Sequence, residues 1–191
     1  MAFKNDQVSE GETEKIIELA KKALESEGDF VEMGCYKGDT SLVLAEIIRG
    51  SGKRLFIYDS FEGLPEKAKE DESVLGAEFR GGELFVSKRE VKERFLRAGL
   101  PVPVIKKGWF SELTEADLPE KITFSFLDGD FYESIRDSLR LVLPKMVPRG
   151  VLIVHDYTNP ALPGVKRAVD EVFSEPGTGV ERKKVLTLLL L

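Results

Sequence analysis

The chain has 191 residues, 42% hydrophobic and 32% charged, which suits one domain with a substantial core. Its net charge of −6 argues against nucleic acid as the main partner, since phosphate recognition needs a basic face. No apolar run is long enough for a transmembrane helix, so no membrane partner is expected. The opening Met1-Ala-Phe-Lys-Asn-Asp6 lacks an apolar leader, and Cys35 is the single cysteine; both fit a cytoplasmic location.

The first 27 residues are expected to carry an N-terminal helix, with Ile16, Ile17, Leu19, Ala20, Ala23 and Leu24 sharing a face between Glu12 and Ser26. A short strand, Phe30–Met33, runs into Gly34, and a helix is predicted over Thr40–Ile48. Arg54–Tyr58 reads as a buried strand ending on Asp59. Residues 62–82 mix glycines, prolines and charges and read as a long exposed loop, functional or mobile. A helix over Val86–Ala98 stops at Gly99 and Pro101. Strands follow at Val102–Ile105 and Ile122–Leu127, then a helix over Glu133–Met146 with an acidic start. A strand at Val151–Val154, a helix over Gly164–Phe173 and a buried apolar strand over Lys184–Leu191 complete the order. Strands alternating with helices at this spacing predict βαβ units: an α/β fold, mostly parallel, with helices on both faces. No internal repeat or linker divides residues 1–191, so a single domain is expected.

Two of these strands end on unusual chemistry. Ile122–Leu127 stops at Asp128-Gly129-Asp130, and Val151–Val154 stops at His155-Asp156-Tyr157. In a parallel sheet both would meet at the carboxyl edge, where open α/β folds bind ligands. Asp128, His155 and Asp156 supply oxygen and nitrogen donors for a metal, and Asp130 is a spare carboxylate for a general base. His155, the only histidine, can serve as ligand, base or hydrogen-bond partner.

The first strand leads into Glu32-Met-Gly34-Cys-Tyr36-Lys-Gly38, where glycines allow a tight turn close to a ligand. The spacing is G-x-x-x-G, not the G-x-G-x-x-G of dinucleotide binders, which argues against a nicotinamide oxidoreductase. Asp59 ends the second strand, where an acid can accept both hydroxyls of a ribose. A ribose partner without a pyrophosphate loop points to S-adenosylmethionine. Gly108 and Trp109, after the third strand, would bring a flat surface to an adenine, whereas Phe110 reads more as packing. Lys166 and Arg167 suit a solvated helix face better than an acidic acceptor, and Glu133 and Ser134 read as the start of a helix.

Taken in order, the motifs resemble one family. Gly28-Asp-Phe-Val-Glu-Met-Gly34, Asp59-Ser-Phe-Glu-Gly-Leu-Pro65, Lys107-Gly-Trp-Phe110, Leu127-Asp-Gly-Asp-Phe-Tyr-Glu-Ser134 and His155-Asp-Tyr157 are similar to stretches of the macrocin O-methyltransferases. The resemblance implies a Rossmann-like class I methyltransferase fold. It also implies an S-adenosylmethionine-dependent, metal-dependent enzyme that methylates a hydroxyl of a small acceptor, a sugar or related natural product. It places Glu32, Gly34, Asp59 and Ser60 at the cofactor, Asp128 on a divalent ion (magnesium or manganese), and Asp130 as the base. The family's usual Asp-Asp-Tyr stands here as His155-Asp156-Tyr157, and imidazole suits manganese, iron, nickel or zinc better than magnesium. A non-catalytic S-adenosylmethionine-binding accessory protein is the competing class, and metal-free transfer to another nucleophile the competing chemistry. A homodimer would be ordinary for this size and fold.

Overall fold

The computed structural model describes residues 7–76, 79–174 and 185–191, with residues 185–188 as backbone. Short apolar runs make six strands: β1 (Asp29–Met33), β2 (Leu55–Asp59), β3 (Val104–Lys107), β4 (Ile122–Leu127), β5 (Met146–Val154) and β6 (Val185–Leu190). Around them lie α1 (Glu10–Ala23), α2 (Asp39–Ile48), α3 (Lys88–Ala98), α4 (Tyr132–Val142) and α5 (Pro163–Ser174). The sheet order is β3-β2-β1-β4-β5-β6, and every pairing is parallel. This is the expected α/β architecture. No helix among the described residues is long and apolar enough to cross a membrane.

Alternation along the strands splits the core into two layers. Val31, Leu127, Leu152 and Val154 pack with α4 and α5; Phe30, Phe124, Phe126, Val151 and Ile153 pack with α1, α2 and α3. Full burial on both faces explains why these strands read as continuous apolar runs.

Several boundaries differ from the sequence reading. Pro144 ends α4 early, in a short 3₁₀ turn, and β5 then starts at Met146 rather than Val151. Strand β3 sits two residues later than expected, beyond Pro103, which has no amide hydrogen for the ladder. Helix α1 starts earlier, because Ser9 and Glu12 form a reciprocal capping box. At the edge of the sheet, Leu189, Leu190 and Leu191 are only half-buried; Lys184, the expected first residue of that strand, lies outside the described residues.

The 62–82 segment is not simply an exposed loop. Leu64 is buried, and its amide and carbonyl bond Glu83 and Gly82. Asp71, 1% exposed, accepts hydrogen bonds from the Ala68 amide and, at 2.7 Å, from the Tyr132 amide at the start of α4. A count of charges and glycines cannot see that one of those acids is buried as a cap.

Register builds the functional edge. Met33 pairs with both Tyr58 and Leu127, and Leu127 pairs with Val154. The next residues, Asp59, Gly34, Asp128 and His155, therefore emerge at one level of the carboxyl edge. The ladder continues through them, with the Asp128 amide donating to Met33 O at 2.8 Å and the His155 amide to Leu127 O at 3.0 Å. Glycine is required at position 34: φ is +87°, and a Cβ would lie 2.0 Å from the Asp128 carbonyl oxygen.

Candidate active site

One cleft at this edge is lined by Glu32, Gly34, Tyr36, Asp59, Ser60, Gly108, Trp109, Asp128, Asp130, His155 and Asp156. Of the residues singled out from sequence, Gly38 stands apart: it adopts φ +81° as the N-cap of α2 and does not line the cleft. Phe110 and Ser134 line it as well, although packing and helix initiation seemed to account for them. Gln7, Val8, Asp39, Thr40, Phe79 and Asn159 also contribute, and no sequence motif marked them.

At the β1–β2 side, Asp59 organises the turn after β1. Its Oδ2 accepts from the Cys35 amide at 2.8 Å and the Tyr36 amide at 3.4 Å, and its Oδ1 from the Phe61 amide at 2.7 Å. Oδ2 is thereby filled, and Oδ1 keeps lone-pair capacity for a ligand. The Ser60 hydroxyl is engaged locally, donating to Gly63 O and accepting from the Glu62 amide. Glu32 is 1% exposed. Burial raises its pKa, the Ser41 hydroxyl offsets part of that, and Asp128, Asp59 and Asp39 add to the rise; the carboxyl stands at about 8.

At the β4–β5 side, His155 Nδ1 lies 2.9 Å from Asp128 Oδ1 and 2.9 Å from Asp156 Oδ2. Burial alone would push the imidazole down, but the two carboxylates outweigh it and hold it at about 11. Burial works against ionised Asp156, yet hydrogen bonds from His155 and Asn159 keep it below the usual carboxylate range. Asp130 is driven the other way, by burial and by the charges of Asp128 and Asp156. Tyr36, Asp130 and Asp156 all take positive φ, at 44°, 60° and 60°. For residues with a Cβ such backbone is costly, and all three line the cleft.

Ligand atoms of Asp128, His155 and Asp156 all lie within 4.8 Å of one another. One imidazole with two carboxylates fits a divalent ion, and suits manganese, iron or zinc better than magnesium. A nearby residue was not anticipated. Glu12 Oε1, on α1, lies 3.8 Å from His155 Nε2. The Ser9-x-x-Glu12 spacing could have marked the helix start, but nothing in it signals the histidine.

The model of the macrocin O-methyltransferase (TylF) family matches residues 13–178. The chain belongs to the macrocin O-methyltransferase family. Among its relatives is a Streptomyces olivaceus protein, 8-demethyl-8-(2,3-dimethoxy-alpha-L-rhamnosyl)-tetracenomycin-C 4'-O-methyltransferase, 32% identical over 68% of this chain and 53% of that protein. Another is demethyldecarbamoylnovobiocin O-methyltransferase of Streptomyces niveus, 30% identical over 75% of this chain and 57% of that protein. The chain thus spans little more than half the length of these curated relatives. Among solved structures, the O-methyltransferase NovP is 28% identical with a TM-score of 0.72, covering 83% of this chain and 69% of its own. The calicheamicin methyltransferase CalS11, 18% identical with a TM-score of 0.71 over 85% of this chain and 70% of its own, shares the fold. The class I methyltransferase architecture expected of the family is the one this chain has.

Proposed function

We propose that the chain is an S-adenosylmethionine-dependent O-methyltransferase acting on a hydroxyl of a sugar or related natural product, with a divalent ion at Asp128, His155 and Asp156. The observation that carries this reading is that one cleft unites both sets of residues. It joins Glu32 and Asp59 at the β1–β2 edge to Asp128, Asp130, His155 and Asp156 at the β4–β5 edge. Family membership and the rhamnosyl-bearing acceptor in the name of the Streptomyces olivaceus relative support it.

Asp59 is the group suited to the ribose hydroxyls, with Glu32 beside it on the same side of the cleft. Gly108 and Trp109 offer the face for its base. A divalent ion, when bound, supplies Lewis acidity to an acceptor hydroxyl. In the transfer, the acceptor oxygen forms its bond to the methyl carbon as the carbon–sulfur bond breaks, and the hydroxyl proton passes to Asp130. A carboxyl pushed upward in pKa is a stronger base once ionised, which suits Asp130 to that proton. Positioning of donor and acceptor in one cleft supplies much of the remaining acceleration.

Asp130→Asn tests the assignment. Donor affinity should stay within about twofold while turnover falls at least about a hundredfold, the usual reach of a general base. Full turnover in the variant would remove Asp130 from the reaction.

A further inference from the structure

We infer that Glu12 of α1 is a positioning residue for His155, accepting its Nε2–H and so fixing the ring with Nδ1 toward Asp128 and Asp156. Two oxygens of one carboxylate do separate work. Oε2 closes the helix cap, accepting from the Ser9 amide at 2.8 Å and from the Ser9 hydroxyl at 2.6 Å. Oε1 is left facing His155 Nε2 at 3.8 Å, within ion-pair range and close enough for a small rotation to complete the bond.

The geometry behind this is set by the sheet. Val154 points toward α5, so His155, the next residue, points to the opposite face, where Phe126 and α1 lie. Its ring centroid is 5.9 Å from that of Phe126. One ring nitrogen meets the carboxylates of the cleft and the other meets α1. Glu12 itself does not line the cleft, so its influence must pass through the imidazole. Metal-ligating histidines commonly donate their second ring N–H to a carboxylate, which sets tautomer and orientation. The capping box pins the Glu12 carboxylate, so α1 delivers it already ordered.

This inference rests on the metal reading for its functional meaning, but its test separates the two. His155 is the only histidine, so its ring nitrogens give an unambiguous ¹⁵N–¹H spectrum. We would record it for the wild-type protein and for Glu12→Gln, with and without Zn²⁺, and measure Zn²⁺ affinity by calorimetry. Glutamine still serves a capping box, so the unfolding temperature should hold. Glu12→Asp, which retracts the carboxylate by one methylene, is the second variant should Gln perturb the helix. The expected result is a shifted Nε2–H signal in the variant and a Zn²⁺ affinity lower by about ten- to a hundredfold. No Zn²⁺ binding to wild type, with the Nε2–H signal still moved by the substitution, keeps the Glu12–His155 contact and overturns the metal reading alone. Identical ring spectra in wild type and variants would overturn the inference, whatever the metal does.

Discussion

Glu32 holds its proton to about pH 8 because it is buried beside Asp128, Asp59 and Asp39. In the unfolded chain the same carboxyl ionises near its ordinary value of 4.5. A raised acid pKa means the folded state binds the proton more tightly. The associated stability is full below about pH 4.5 and is lost as pH rises toward 8. Glu32→Gln should remove that dependence. The stability difference between variant and wild type should grow in the variant's favour from pH 4.5 to 8, by an order of a few kcal/mol. Reading the difference cancels the contribution of Asp130, which is common to both proteins. Parallel curves from urea unfolding across this range would contradict the buried, proton-holding Glu32.

At the scale of elements, the ends of β1 and β4 are locked by close approach at Gly34. Gly34→Ala would place a methyl 2.0 Å from the Asp128 carbonyl oxygen, so the strands must part just where Asp128 leaves the sheet. Gly99→Ala, at φ +67° with no atom within 4 Å of an added Cβ, carries the left-handed strain alone. Gly99→Ala should cost about 1 kcal/mol and Gly34→Ala at least about 3 kcal/mol, with loss of ligand binding. Equal losses in thermal unfolding would mean that backbone strain, not strand contact, selects glycine at position 34. The elements themselves were legible in the sequence because burial on both faces leaves continuous apolar runs such as Ile122–Leu127. The acids ending β4 and β5 were legible because parallel strands must share one carboxyl edge. What was hidden depended on long-range partners. Asp71 caps α4 across 61 positions, and Glu12, on the first helix, meets His155 at the end of β5. Neither a charge count nor helical periodicity carries such information.

For the whole molecule, the sheet order brings the turn after β1 and the ends of β4 and β5 into one cleft beneath the segment that precedes α1. The proposed donor groups lie at the ends of β1 and β2 and the proposed ion groups at the ends of β4 and β5, so the two binding events should be separable. The direct measurement is calorimetric titration of EDTA-treated protein with S-adenosylmethionine, followed by titration of the same sample with Mn²⁺. A micromolar one-site isotherm for S-adenosylmethionine without the ion, and a separate isotherm for Mn²⁺ that Asp128→Asn abolishes, is the expected result. Absence of any S-adenosylmethionine binding in either condition would contradict the methyl-transfer function itself.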